Sequence, residues 1–290
     1  MLVSPKSYFD EARLRGYALG SFTVFNMESA RGVFEALDVA GSPAMVAITR
    51  RMTPYMDFEG LAAYLRTRSE SSPAPVAIHL DHSTELDLVK RALDAGFTSV
   101  QYDGAGLSLG AKIEQTRLAV EMAHRYGAVA EAELEHIGRT GVEDGHGLTQ
   151  PDAALRFVAE TGIDILAASV GTTHGLSRGL ARIDHALIAE LRGSLPCHLA
   201  LHGGTGADPE DLVAAIAGGV VKISYFHGAA ESALVRLRGS LAETPHGMLA
   251  TLLDEVRPAF RDRTLEMIAY FGSPEHAPSA AAVTAAPPNG

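Results

Sequence analysis

The sequence predicts a closed (β/α)8, or TIM, barrel of α/β class in a single domain, and three observations carry that prediction. Eight short, mostly apolar segments bounded by Gly, Pro or Asp recur along the chain, at 18–24, 44–49, 76–81, 98–103, 128–134, 164–170, 198–202 and 220–225. Their starts lie 22 to 36 residues apart with helical periodicity between most of them, the repeat of a parallel sheet. No GxGxxG follows the first segment, and eight units in about 250 residues fit a closed barrel better than an open doubly wound sheet.

Taken in order, strands 18–24 and 44–49 flank a helical pattern at 28–40, and strand 76–81 is followed by one at 85–95. The turn DAGF leads into 98–103, helix 111–126 into 128–134, and helix 151–161, closed by ETGID, into 164–170. Strand 198–202 and helix 208–217 precede the last strand, 220–225. No linker rich in Pro, Gly or Ser interrupts the repeat, so residues 1–272 read as one domain. The remainder, 273–290, is rich in Ala and Pro with almost no charge and reads as a disordered tail.

Composition narrows the function classes. With 24 Lys+Arg against 35 Asp+Glu the formal net charge is −11, which argues against a nucleic-acid partner, because phosphate backbones are held by clustered cations. The single cysteine, Cys197, excludes an intrachain disulfide and a Cys-rich zinc knuckle, and implies a reducing, cytoplasmic setting. Acidic residues and Pro5 stand where a signal peptide needs an apolar run, and no stretch of 18 apolar residues follows, so neither secretion by that route nor a membrane span is expected.

In barrel enzymes the reacting groups come from the C-terminal ends of strands. Here polar residues gather there strand after strand: His79, Asp81 and His82 on the third, Asp103 on the fourth, Glu131 and Glu133 on the fifth, His174 after the sixth and His202 after the seventh. Alternation puts His79 and Asp81 on one face with His82 on the rim beyond, and Glu131 with Glu133 on one face. Carboxylates buried there need a cation or must titrate upward. A lone strand-end histidine is more often a hydrogen-bonded structural residue. Three from three strands, His82, His174 and His202, could give three ligands to a divalent metal and leave a fourth position open, as in a catalytic zinc site. Gly175 and the run Gly203-Gly204-Thr205-Gly206 place backbone N–H groups at the barrel mouth, where a phosphate could be received, and Arg178 adds a cationic clamp.

Eight blocks, GSFTVFN, AIHLDHST, AGFTSVQYDGA, AVAEAEL, GVEDG, VGTTHG, LALHGGTG and VKIS, resemble the class II, metal-dependent fructose-bisphosphate and tagatose-bisphosphate aldolases in order and approximate spacing. The resemblance covers roughly residues 5 to 270; HLDH, EAEL and LHGGTG are its specific parts. It implies a zinc lyase that makes or breaks a C–C bond beside a ketose carbonyl, with dihydroxyacetone phosphate or a close analogue as donor and a phosphorylated or acidic aldehyde as acceptor. By the resemblance, His82, His174 and His202 are the zinc ligands, and Asp103 and Glu133 stand behind them or form a site for a second divalent or monovalent cation. Zinc would polarise the donor ketone and stabilise the enediolate. Asp81 resembles the carboxylate that exchanges the C4 hydroxyl proton, and Glu143 the acid/base at the donor carbon. A homodimer or homotetramer is also implied.

Departures from the family pattern cluster around the substrate. Ser224 stands where the family has Asn, His227 where it has Thr, Ala105 where it has Ser and Glu135 where it has Gly, and Arg50-Arg51-Met52 replaces small residues after the second strand. The stretch between Glu133 and Glu143 is also about two residues longer than usual by the same resemblance. Two readings follow. Either Gly175, Arg178, Gly203 and Thr205 preserve the standard donor, or Arg50, Arg51, Ser224 and His227 read an altered donor or acceptor, since Arg suits phosphate or carboxylate. A metal-dependent hydrolase or isomerase on the same barrel and an aldolase-like protein without activity are the rival functions; Asp81 beside His82 disfavours the first, intact ligands the second.

Overall fold

The computed structural model describes residues 1–135, 137, 147–175 and 182–275. Eight parallel strands close into a barrel in sequence order: β1 Leu19–Thr23, β2 Ala44–Thr49, β3 Val76–Ser83, β4 Ser99–Tyr102, β5 Val129–Glu133, β6 Ile165–Ala167, β7 His198–Leu201 and β8 Val220–Tyr225. All eight segments expected from the sequence form strands, and the (β/α)8 architecture holds. The helices on the outside include α2 Met27–Ala40, α4 Leu86–Asp94, α5 Leu109–Arg125, α6 Pro151–Thr161 and α8 Pro209–Gly218, matching the five helical patterns to within three residues at either end. The sequence pattern had not singled out α3 Phe58–Ser71, α7 His185–Ser194, or α9 His227–Glu243, α10 Leu249–Asp254 and α11 Val256–Tyr270, which follow the last strand. Among the described residues, no helix is long and apolar enough to cross a membrane.

The interior is layered. Leu19, Met45, Ala77, Val129, Ile165, Ala200 and Val221 fill its lower part, and the preceding helix α1 (Lys6–Arg15) closes the floor with Phe9 and Ala12. Each large side chain removed from water there contributes roughly 1.5–3 kcal/mol. Higher up the inward positions turn polar: Ser21, His79, Ser99, Gln101, Glu131 and Lys222 are all at most 1% exposed. An apolar floor beneath a polar upper half fixes the chemistry at the C-terminal mouth.

Two irregularities decide what points inward. Between β3 and β4 the register passes from Leu80↔Val100 to Ser83↔Tyr102, so β3 carries one extra residue. Between β7 and β8 it passes from Leu199↔Val220 to Ala200↔Lys222, an extra residue on β8. Such bulges suspend the alternation of a strand. Asp81 and His82 therefore both face the mouth, and Val221 and Lys222 both face the interior while Val220 and Ile223 pack outward.

At the floor, Asp164 ties three elements: it accepts from the Ala130 N–H at 2.9 Å, His124 Nε2 at 2.9 Å and Lys6 Nζ at 3.2 Å. Burial pushes its pKa up, but the Ala130 N–H and His124 bonds outweigh that and hold it below the usual carboxylate value. A depressed folded-state pKa gives stability that is present above the unfolded value and lost as pH falls through the folded one. Asp164→Asn is expected to cost about 1–2 kcal/mol in denaturant melts near neutral pH. The gap to wild type should close at pH values below the carboxylate range; an equal gap at both would show that Asp164 acts through shape alone.

The packed chain continues past residue 272. Ser273, the first residue of the expected tail, is buried, with its hydroxyl 2.9 Å from that of Ser42, and the Glu275 N–H donates to the Ala40 carbonyl at 2.9 Å. Those bonds dock 273–275 against the end of α2. The rest of the expected tail, 276–290, lies outside the described residues.

Candidate active site

His82 occupies the left-handed region with φ 52°, a conformation that costs a non-glycine residue about 1 kcal/mol or more. The bulge imposes it, and the Gln101 side chain supports it by accepting the His82 N–H at 3.0 Å. The imidazole thereby lies beside those of His174 and His202 and lines the cavity at the mouth. His202 follows the end of β7, and His174 lies on the loop after β6.

The three rings converge. Centroids of His82 and His174 lie 4.9 Å apart, those of His82 and His202 4.8 Å, and those of His174 and His202 5.7 Å. Their ligand atoms fall within 4.8 Å of one another. His82 Nε2 faces His202 Nδ1 at 3.1 Å. Two nitrogens each about 2.0–2.1 Å from a tetrahedral ion sit about 3.4 Å apart, so this edge is close to one a zinc would span.

The outer nitrogens of His202 and His82 are engaged by carboxylates. His202 Nε2 donates to Glu131 Oε1 at 2.8 Å, and His82 Nδ1 to Asp103 Oδ2 at 3.2 Å, with Glu133 Oε2 at 3.9 Å. Carboxylates behind metal-binding imidazoles fix the tautomer and strengthen the ligand. Among the described residues, His174 Nε2 has no hydrogen-bond partner although it is buried. A buried lone pair with no donor, beside two others, fits a cation. His82, Asp103 and Glu133 form a second cluster, again with ligand atoms within 4.8 Å.

The electrostatics agree with this donor set. Burial pushes the pKa values of His174 and His202 well down, helped by the positive charges of their neighbours, so both stay neutral as metal ligands must. Burial opposes charge on His82 too, but Asp81, Asp103 and Glu133 outweigh it and push it up to about 9. Asp103 is held well below the carboxylate range despite burial, chiefly by its bond to His82. The pocket without a metal thus collects positive charge on the imidazole nearest three carboxylates.

A cavity of about 310 Å³ opens above the three histidines. Asp81 sits at its base, 6% exposed, with Oδ1 lacking a hydrogen-bond partner. Burial would raise its pKa, but His82, His202 and Lys222 hold it below the ordinary value, so it is an ionised carboxylate with an oxygen to spare. One wall carries Thr49 and Arg51 and the other Gly203, Thr205, Ser224 and His227. Gly203 turns with φ 76° directly against the His174 loop, where a Cβ would lie 2.5 Å from the Thr173 carbonyl oxygen. Thr205 Oγ1 accepts the Gly228 N–H at 3.3 Å, docking the glycine loop on the start of α9, whose N-terminal end faces the cavity.

Most of the site residues expected from the sequence meet here: Asp81, His82, His174, His202, Asp103, Glu133, Gly203, Thr205, Ser224, His227 and Arg51. Arg50 does not. The tight 3-10 turn Arg50–Tyr55 sends consecutive side chains to different sides, and Arg50 Nε donates to Glu85 Oε1 at 2.9 Å on the outer surface. Gly175, with φ 124°, follows His174 but does not line the cavity. Glu143 and Arg178 lie outside the described residues.

A buried group had been passed over. Lys222 Nζ donates to Glu131 Oε2 at 2.6 Å and to His79 Nε2 at 3.2 Å, and His79 Nδ1 donates to Ser99 Oγ at 2.8 Å. Since an ammonium only donates, His79 must be the acceptor there and its proton sits on Nδ1. The signal in the sequence was the lysine alone among the apolar residues of VVKISY.

Residues 3–276 match the family described as fructose-bisphosphate aldolase class-II. The chain is 30% identical over 279 residues to a sulfofructosephosphate aldolase of Alkalicoccus urumqiensis, covering 93% of this chain and 96% of that one. It is 34% identical over 222 residues to a fructose-bisphosphate aldolase of Thermus caldophilus, covering 73% and 72%. Among solved structures it is similar to that of the YdjI aldolase of Escherichia coli K12, with TM-score 0.86 and 28% identity over 96% of this chain and 100% of that one.

Proposed function

From the premise that the chain belongs to the class II fructose-bisphosphate aldolase family, and is an aldolase, we propose that it is a zinc-dependent enzyme acting on a ketose phosphate, with dihydroxyacetone phosphate or a close analogue as donor. The observation that carries this reading is the convergence of His82, His174 and His202 at a cavity that Asp81 also lines. Zinc held by the three imidazoles would act as a Lewis acid at the donor carbonyl and at the enediolate charge that develops.

The protein's own groups do the rest. Asp81, ionised and lining the cavity, accepts the proton of the substrate hydroxyl as the C–C bond breaks and returns it on condensation. Gly203, Thr205 and the N-terminal end of α9 form the wall suited to the donor phosphate, with backbone N–H groups and a helix dipole of the right sign. Ser224 lines the same wall, and its Oγ has no hydrogen-bond partner among the described residues, so it can turn to the donor. Arg51 opposite, together with His227, favours an acceptor that ends in an acidic group, phosphate or carboxylate.

The test isolates the donor half-reaction. Zinc-loaded protein incubated with dihydroxyacetone phosphate in deuterated water is expected to exchange one prochiral C3 proton, seen as loss of its NMR signal, and chelator should stop the exchange. Zinc binding without exchange would rule out the standard donor. Exchange untouched by chelator would rule out the metal reading.

A further inference from the structure

We propose that Lys222 is a positioning residue: by claiming Glu131 Oε2 it holds the carboxylate with Oε1 against His202 Nε2, where an acceptor-only group keeps the His202 proton on Nε2 and its Nδ1 free as a ligand atom. The inference rests on the metal reading above. Four residues carry it in a single file. Lys222 Nζ lies 2.6 Å from Glu131 Oε2, Glu131 Oε1 lies 2.8 Å from His202 Nε2, and His202 Nδ1 faces His82 Nε2 at 3.1 Å. All of Lys222, Glu131 and His202 are at most 1% exposed, so water does not reach in to substitute for a missing partner.

The bulge on β8 makes the contact. With simple alternation from Val220, Lys222 would point outward with it, among the aliphatic side chains between sheet and helices. One extra residue turns it into the barrel. Its other partner, His79 Nε2 at 3.2 Å, is itself held by Ser99, so the ammonium has a fixed position. A lysine carries three donors and no acceptor, whereas a carboxylate carries only acceptors. Between Lys222 and His202, Glu131 therefore has one arrangement that satisfies both neighbours, and in it the imidazole must bring the proton to Nε2.

This logic makes a prediction that a merely structural ion pair would not. In Glu131→Gln, Lys222 still demands an oxygen, so the amide turns its oxygen to Lys222 and its NH2 to His202 Nε2. That nitrogen must then accept, and the proton moves to Nδ1, the atom needed for the metal. In Glu131→Gln/Lys222→Met the ammonium is gone, the amide flips, and its oxygen again receives the Nε2 proton. Zinc affinity, measured by competition with a chromophoric chelator, is expected to fall about 10- to 100-fold in the single variant and to recover most of that loss in the double variant. The visible absorption of cobalt-loaded protein should follow the same order, distorted in the single variant and wild-type-like in the double.

A second measurement keeps the inference open to refutation if either variant does not fold. In metal-free wild-type protein, 15N-detected imidazole NMR is expected to show His202 protonated at Nε2 and bare at Nδ1. The opposite tautomer overturns the proposal, as does a double variant that binds zinc no better than the single one. Wild-type protein that holds neither zinc nor cobalt overturns this inference and the metal reading together; wild-type binding with no loss in Glu131→Gln overturns this inference alone.

Discussion

His202→Ala is expected to weaken zinc binding by about 100-fold and to remove turnover with it. His202 supplies one of the three converging ligand atoms, with its ring 4.8 Å from His82 and 5.7 Å from His174. Zinc sites of four ligands bind with about 10–16 kcal/mol, roughly 3 kcal/mol per ligand, so one loss weakens affinity by about 100-fold. The variant also leaves Glu131 Oε1 without its donor in a fully enclosed position, which costs a further 1–3 kcal/mol or so of stability. Folding is therefore checked by circular dichroism alongside metal content. His198→Ala is the control: it opens the strand that His202 follows, but its Nε2 bonds Asp10 at 3.1 Å near the floor, and it should keep full zinc and activity. A His202→Ala protein with wild-type zinc content and turnover would sink the ligand assignment.

How far the site could be read from sequence follows from which physical rule governs each residue. Strand positions and the inward turn of His79, Glu131 and Glu133 obey plain alternation, and the sequence displays alternation directly. His82 and Lys222 do not obey it. Each lies at a bulge, where one extra residue is accommodated by pairing with a neighbouring strand that is distant in sequence, and nothing local announces it. The sequence shows His82 beyond the strand's alternation but not the left-handed turn that brings it beside His174 and His202, and it shows Lys222 only as a charge among apolar residues. Arg50 and Arg51 are one residue apart, and only the turn that carries them decides that Arg51 lines the cavity and Arg50 pairs with Glu85. The helices missed at α3 and α7 fail for a different reason. Their buried residues do stand at helical spacing, Phe58, Leu61, Ala62, Leu65 and Ser69 in one and Leu187, Ile188 and Leu191 in the other, but the apolar stripe is thin amid exposed polar residues, and packing against the sheet completes each helix.

Asp81→Asn separates the proton chemistry from the metal. Asp81 belongs to neither cluster of converging ligand atoms, so the asparagine variant should bind zinc within a few-fold of wild type. Its carboxylate is kept ionised against burial by His82, His202 and Lys222, the state a base needs before substrate arrives. An amide of the same shape cannot take a proton there. Cleavage of the best ketose phosphate from a panel is expected to fall by about 10²- to 10⁴-fold, the span ordinarily contributed by one positioned base. Removal of the C3 proton of dihydroxyacetone phosphate is a different proton transfer at a different carbon, so deuterium exchange into the donor should persist while cleavage is lost. That split is the decisive readout. Exchange and cleavage falling together with zinc retained would place Asp81 on the donor rather than on the scissile bond. Loss of zinc would make it part of the metal's own surroundings, and full cleavage would remove it from the reaction.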